Sequence, residues 1–186
     1  MTPALNYFLV TERVGFHHWA PEHLPLALAL WTNPEVMRFL GGPLSYAQVH
    51  ARLRREIALQ ESRGVQYWPI FLRATEEHVG CAGLRPYLQT TDVYELGFHL
   101  LPASWNKGLA QEAARAVIVY AFTTLGASGL FAGHHPENAA SRRILEKLNF
   151  RYTHDELYPP TGLLHPSYFL HRPALAGEVE TAKGAG

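Results

Sequence analysis

The stretch Trp105-Asn106-Lys107-Gly108-Leu109-Ala110 decides the reading of this chain. It follows a strand-like run, Tyr94-Glu95-Leu96-Gly97-Phe98-His99-Leu100-Leu101, and opens a helix-like run over residues 109–125. A helix N-terminus carries unpaired N–H groups and partial positive charge from the helix dipole, so a short glycine-containing loop before it can hold an anion. Gly108 lets a phosphate approach the main chain without a Cβ in the way, and Lys107 adds a full charge beside it. The spacing is not that of a P-loop, because Gly-Lys-Ser/Thr is missing, nor of a dinucleotide fingerprint, because its three glycines are missing. By itself the loop is weak evidence, since an ordinary strand-to-helix connection bearing a surface lysine looks the same.

Working outward toward the N-terminus, residues 7–16 read as a strand, and Pro21-Glu22 starts a helix that runs to Trp31. Asn33 caps a short helix over 35–40 that Gly41-Gly42 ends. Ser45 and Gln48 form a capping box for a helix to about residue 62, stopped by Arg63-Gly64. Residues 67–73 and 79–87 read as strands joined by a polar turn at 75–78, and 94–101 as the next strand, closed by Pro102. In the helix that follows the loop, Leu109, Ala113, Ala116, Val117, Tyr120 and Ala121 share one face. Residues 128–134 read as a short strand, 139–148 as a helix with Ile144, Leu145 and Leu148 as its apolar stripe, and 150–158 and 166–171 as closing strands. The pattern predicts one α+β domain over residues 1–173 with a central mixed sheet, followed by an Ala/Gly-rich tail over 174–186 expected to be disordered.

A length of 186 residues suffices for one domain with its own core. Lys+Arg and Asp+Glu both number 16, so the chain as a whole has no electrostatic footprint for nucleic acid. No apolar run nears the roughly 20 residues that span a bilayer, and no basic stretch followed by an apolar core opens the sequence; neither a membrane partner nor a secretory signal is expected. The single cysteine, Cys81, excludes an internal disulfide and any multi-cysteine metal site, and a cytoplasmic location is expected. The eleven histidines are scattered: His17-His18 and His134-His135 are adjacent pairs that point opposite ways in an extended chain, and no metal site is expected.

The run Asn138-Ala139-Ala140-Ser141-Arg142-Arg143-Ile144-Leu145-Glu146-Lys147-Leu148-Asn149-Phe150 is locally a well-made helix. Asn138 is positioned to cap the N–H of Ser141, and Arg142 and Glu146 form an i,i+4 pair. In order along the chain stand Thr11-Glu12-Arg13, Asn33-Pro34-Glu35-Val36-Met37, Gly80-Cys81-Ala82-Gly83-Leu84-Arg85, Glu95-Leu96-Gly97-Phe98, Lys107-Gly108-Leu109-Ala110 and Pro136-Glu137-Asn138-Ala139-Ala140-Ser141. With this ordered set, over about residues 8–168, the chain resembles the GNAT superfamily of acyl-CoA-dependent N-acyltransferases, and within it the branch containing the ribosomal-protein N-terminal acetyltransferases. The resemblance implies a splayed, mostly antiparallel mixed sheet flanked by helices, and acetyl-CoA as cosubstrate. Its pantetheine arm would enter between strands 94–101 and 128–134, pairing with the backbone of Phe98, His99 and Leu100. The loop Trp105, Asn106, Lys107, Gly108, Leu109 and Ala110 would hold the pyrophosphate, Asn138 would lie near the pantetheine, and Ser141 near the sulfur. Two positions depart from the family pattern. Trp105 stands where Gln or Arg is usual, and Leu148-Asn149-Phe150 replaces Leu-Gly-Phe; Asn is the best substitute for Gly in the left-handed conformation.

The implied reaction is direct attack of an amine, from a protein N-terminus or a small molecule, on a thioester. Glu95 is the candidate base, its alternative being a surface-facing strand carboxylate. Ser141 is the candidate to polarise the departing thiolate, its alternative being a solvent-facing residue of a first helical turn. A strand N–H near residues 98–100 would stabilise the thioester oxygen. Phe98 and His99 point to opposite faces, so one lines the acyl site and the other packs away. Cys81 sits in an apolar run and reads as a buried structural thiol rather than an acyl carrier. Residues 31–59 and the loop 158–165 should wall the acceptor site, with Trp31, Phe39, Tyr87, Tyr158 and His165 making an aromatic, nearly neutral pocket. Without an acidic cluster, polyamines are disfavoured as acceptors. The alternative to an enzyme is a non-catalytic acyl-CoA-binding module. A monomer or a homodimer, paired through the strand near residues 165–171, fits equally.

Overall fold

The computed structural model describes residues 6–88 and 92–173; the expectation for the tail over 174–186 lies outside the described residues. The chain starts with a hairpin, β1 (Leu9–Val10) and β2 (Val14–Phe16), where the sequence predicted one strand over 7–16. Thr11 breaks it: its Oγ1 accepts from the Val14 N–H at 3.0 Å, and its own N–H donates to the Val14 carbonyl at 2.9 Å. A single turn of 3-10 helix (Pro21–His23) then leads into α1 (Leu24–Trp31), α2 (Pro34–Met37) and α3 (Tyr46–Arg63). The caps are those read from the sequence. Asn33 Oδ1 accepts from the N–H groups of Glu35 and Val36 at 2.9 and 3.2 Å, and Ser45 and Gln48 cap each other reciprocally. Gly64 ends α3 at φ 68°, a conformation a Cβ would oppose.

An antiparallel meander follows, β3 (Tyr67–Leu72), β4 (His78–Pro86) and β5 (Val93–Leu100). Beyond it come α4 (Leu109–Thr123), β6 (Gly129–Gly133), α5 (Ala139–Lys147), β7 (Arg151–Tyr158) and β8 (Leu163–His171). β8 starts three residues earlier than the sequence suggested, because Leu163 and Leu164 continue the ladder with Tyr158 and Leu157 of β7. The eight strands make one sheet in the order β1-β2-β3-β4-β5-β6-β8-β7.

The β5–β6 pair is parallel, and its register holds only at Val93↔Gly129, Tyr94↔Leu130 and Glu95↔Phe131. β5 then stays with β4 as far as Leu100↔Gly80, while β6 stays with β8 as far as Gly133↔Ser167. Each strand keeps its outer partner, so the two part and leave a gap in mid-sheet. One face of the sheet buries Leu109, Ala113, Val117 and Ala121 of α4 with Leu145 of α5. The other face packs α1–α3 through Leu30, Trp31, Met37, Val49 and Leu53 against Tyr67 and Cys81.

Candidate active site

A cavity of about 1450 Å³ opens where β5 and β6 part. Of the residues expected along the cofactor path, Phe98, His99, Leu100, Trp105, Asn106, Gly108, Leu109, Ala110, Asn138 and Ser141 line it; the Lys107 side chain does not. The loop's geometry suits an anion. Asn106 and Gly108 are left-handed, with φ 59° and 76°, and backbone turns of this kind gather successive N–H groups into one concavity. The first hydrogen bond of α4 runs from the Glu112 N–H to the Gly108 carbonyl at 3.1 Å, so the N–H groups of Leu109, Ala110 and Gln111 have no carbonyl within the helix. Trp105 closes the loop from below, its Nε1 donating to the Leu100 carbonyl at 2.8 Å. Arg143 and Lys147 of α5 add two cations to the cavity wall.

The loop is held from the far edge of the sheet. Arg13, in the β1–β2 turn, donates from Nη1 to the Lys107 carbonyl at 2.9 Å. Its Nε and Nη2 reach Glu112 Oε2, both at 2.6 Å, and its backbone N–H reaches Oε1 at 2.9 Å. Thr11 Oγ1 donates to the same carboxylate at 2.5 Å. Burial alone would raise the pKa of Glu112, but these hydrogen bonds from Thr11 and Arg13 outweigh it and hold the carboxyl below its usual range. The motif Thr11-Glu12-Arg13 thus acts on a loop 94 residues away.

The β5 ladder sorts its peptide groups. The Leu101 N–H donates to the Val79 carbonyl at 2.9 Å, so the main chain of alternate residues, including His99, faces β4. Phe98 and Leu100 turn theirs toward the gap. This modifies the expected set of three: the backbone of His99 belongs to the sheet, and its side chain faces the α3 side of the cavity. Phe98 packs on the opposite, α4 face, and both side chains contribute to the cavity lining. Across the gap, Asn138 Oδ1 accepts from the Ser141 N–H at 3.1 Å, placing both residues at the head of α5 on the cavity wall.

Glu95 projects from β5 to the α1–α3 face, hydrogen-bonded to Tyr67. Burial is the largest effect on its carboxyl and raises the pKa, helped by Glu156; Arg85, the Tyr67 bond and Arg52 oppose it without cancelling it. Tyr67 is itself buried, its pKa pushed well above the ordinary value by burial and then by Glu95, and it stays protonated. The phenol fits because residue 97 is glycine: a Cβ there would lie 2.3 Å from the Tyr67 ring tip. His99 is driven well below its usual pKa by burial and by Arg52 and Arg85, so its ring is neutral at physiological pH. Cys81 is fully buried and its thiol is pushed up to about 12, chiefly by burial, as suits a structural role.

Two expectations about the acceptor end are corrected. Trp31 is not a wall residue: it is fully buried in the helical core, with the Arg52 guanidinium stacked over its ring at 4.2 Å. The pocket is also not nearly neutral and aromatic throughout. Phe39, Tyr87, Tyr158 and His165 do line it, but so do Arg38, Arg52, Arg55 and Arg85. Beneath them Glu56, fully buried, pairs with Arg85 and accepts from the Tyr67 N–H at 2.9 Å. The sequence held one local hint of this cluster, the i,i+4 pair Arg52 and Glu56; that α3 turns the pair inward depends on the sheet beneath it.

Residues 13–151 match the family model described as acetyltransferase (GNAT) domain. The uncharacterized N-acetyltransferase YoaA of Bacillus subtilis (strain 168) is 32% identical over 146 residues, covering 77% of this chain and 82% of the relative. The crystal structure of an acetyltransferase from Agrobacterium tumefaciens str. C58 superposes with a TM-score of 0.76 at 25% identity, covering 90% of this chain and 98% of that one. The fold is also that of a Salmonella typhimurium acetyltransferase that modifies the N-terminal serine of ribosomal protein L7/L12 (TM-score 0.73, 14% identity, 87% of this chain and 96% of that one). An open mixed sheet with helices on both faces is the fold of these acetyltransferases. The chain belongs to the acetyltransferase (GNAT) domain family, and is an enzyme of acetyl-CoA-dependent N-acetyl transfer. Among the described residues, no helix is long and apolar enough to cross a membrane.

Proposed function

We propose that this enzyme acetylates a primary amine presented at the Glu95 end of the cavity, either the α-amine of a protein N-terminus or the amine of a small molecule. One observation carries the reading: a single cavity at the β5–β6 gap is lined both by the cradle at the head of α4 and by Glu95, whose buried carboxylate lies on the α1–α3 side of the sheet. The residues present fit acetyl-CoA. The N–H groups over 106–110, with Arg143 and Lys147 on the cavity wall, match a pyrophosphate in charge and donor type. The gap-facing peptide groups of Phe98 and Leu100 match the amides of a pantetheine arm, with Asn138 beside them.

When bound, acetyl-CoA supplies an acetyl thioester. Only a neutral amine has the lone pair to attack it; an α-amine of pKa about 7.7–8.0 is roughly a tenth neutral at pH 7, so a weak base suffices. Glu95 takes the amine proton, directly or through one water, and its raised pKa makes it a better base than an ordinary surface carboxylate. The N–H of Phe98 or Leu100 donates to the thioester oxygen as charge builds there. Ser141 Oγ donates to the thiolate as it leaves. The C–N bond forms, the C–S bond breaks, and the proton ends on Glu95.

Residues 1–173 act in this reading as one acetyltransferase domain, monomeric or dimeric, in the cytoplasm, where a lone buried thiol suits a reducing compartment. Calorimetric titration with acetyl-CoA, followed by thiol release over a panel of peptides and small amines, tests it. Micromolar binding and acceptor-dependent thiol release are expected. No binding below millimolar overturns the reading, and tight binding with no release across the panel reduces the protein to an acyl-CoA-binding module.

A further inference from the structure

The floor of the acceptor pocket holds a charge that its neighbours leave incompletely matched. Arg52 and Arg85 share one interior carboxylate, Glu56. That carboxylate pairs closely with Arg85 and accepts the Tyr67 N–H, while Arg52 Nε stands 3.8 Å from it, too far for a hydrogen bond. The Arg52 side chain is only 11% exposed, and its Nε is buried with no hydrogen-bond partner. Its Nη2 reaches His99 Nδ1 at 3.4 Å, a long contact to a ring that burial keeps neutral. The face of the guanidinium rests on Trp31 at 4.2 Å, which holds the fork in one orientation at the edge of the cavity.

The remaining charges bracket this group. Glu95 lies on the same face of β5, with a carboxyl that burial drives toward the neutral form. Arg38, Arg55, Glu35 and Glu156 also line the cavity. Glu156 is engaged by Tyr87, whose hydroxyl donates to it at 3.3 Å. Arg52 thus has no close carboxylate of its own: Glu56 is taken by Arg85 and the Tyr67 N–H. A carboxylate matches the single charge and the planar fork of the Arg52 guanidinium.

We propose that the acceptor amine also carries a carboxylate, and that Arg52 on the cavity floor binds it. The proposal deepens the amine-acetylating reading above and rests on it. The carboxylate can be the α-carboxylate of a free amino acid or the side chain of an acidic residue opening a peptide.

Equilibrium binding to the CoA-loaded protein separates these sources without using turnover. Phenylalanine is compared with phenylalaninamide, and an aspartate-initiated tripeptide with its asparagine-initiated counterpart, by calorimetry. In at least one arm the carboxylate-bearing member should bind ten-fold or more tightly than its neutral partner. R52Q should bring that ratio to near one, and R52K, which keeps the charge but loses the fork and its stacking on Trp31, should keep only a small part of it, with melting temperatures recorded to show that both variants fold. CoA affinity measured alone should not change in either variant. Equal binding of acid and neutral members in both arms, no binding of any member, or a preference that survives R52Q overturns the proposal. Carboxylate preference without thiol release would instead sink the catalytic reading and leave Arg52 as a binding residue.

Discussion

Gly97→Ala should damage both stability and the pH behaviour of catalysis, and the size of the effect follows from the packing. A Cβ at residue 97 would lie 2.3 Å from Tyr67 Cζ and Oη, so the ring tip would have to retreat by about 1 Å to reach ordinary contact. The ring has little freedom to do so. Arg85 stacks on it at 4.2 Å, His99 meets it edge-on at 5.7 Å, and its hydroxyl is tied to Glu95. Overpacking of this kind costs about 1–3 kcal/mol. Pulling the hydroxyl off a carboxylate adds about 1–2 kcal/mol. Together this lowers the melting temperature of a domain of this size by roughly 5–15 °C. The Tyr67 bond also lowers the Glu95 pKa, so its loss should move the acidic limb of the kcat/KM profile to higher pH. Tyr67→Phe removes the bond without the clash and should reproduce the pH displacement with a smaller loss of stability. The assay is thermal melting together with thiol release between pH 5 and 9, using the best acceptor from the panel. A Gly97→Ala protein that melts within about 1 °C of the parent and keeps its pH profile would refute the argument that glycine is needed to seat Tyr67 on Glu95.

Glu95→Gln should lower kcat by about a hundred-fold or more and abolish the acidic limb, read by the same thiol assay. Its melting temperature at pH 8 should not fall: a carboxyl whose folded pKa is raised loses stability for the protein as pH rises through that value, and Gln carries no such charge. Glu112→Gln should cost about 1 kcal/mol near neutral pH and weaken acetyl-CoA binding several-fold by loosening Arg13 from the Lys107 carbonyl. Because the folded pKa of Glu112 is depressed, its contribution is complete above the unfolded value of about 4.3 and is lost as pH falls through the folded one. The melting temperatures of the parent and this variant should therefore draw together only as pH falls through the depressed folded value, below the unfolded one. Gly108→Val should weaken acetyl-CoA binding at least ten-fold in calorimetry: of protein atoms only Arg13 Nη2, at 3.5 Å, approaches a Cβ there, so the obstacles are the left-handed φ of 76° and the crowding of the phosphate.

Most of the elements were legible because their signals are local. Asn33, the Ser45–Gln48 box and Asn138 cap helices through bonds spanning two or three residues. Asn149 adopts φ 65° where the family pattern has glycine, as its side chain permits. The β1–β2 hairpin was missed because the apolar pattern over 7–16 continues across a turn that one threonine side chain makes. In the candidate site, the cradle and Glu95 were readable from strand–loop–helix order. Trp31 was misplaced because a large aromatic near a pocket in sequence has the same signature whether it lines the cavity or supports the residue that does. The arginines were overlooked for a related reason: an i,i+4 Arg52 and Glu56 pair on a helix reads as a solvated surface pair until something covers it.

The sequence alone determined most of the strands and helices, the caps that start them, and that a glycine-containing loop with bare N–H groups precedes α4. All of these are set by interactions within a few residues. Tertiary structure decided how far β5 and β6 stay together, that Arg13 reaches the loop at Lys107, and that Arg52, Arg85, Glu56 and Glu95 share one buried site. Those outcomes join residues far apart in the chain, and the energy of a charge depends on what surrounds it once water is excluded.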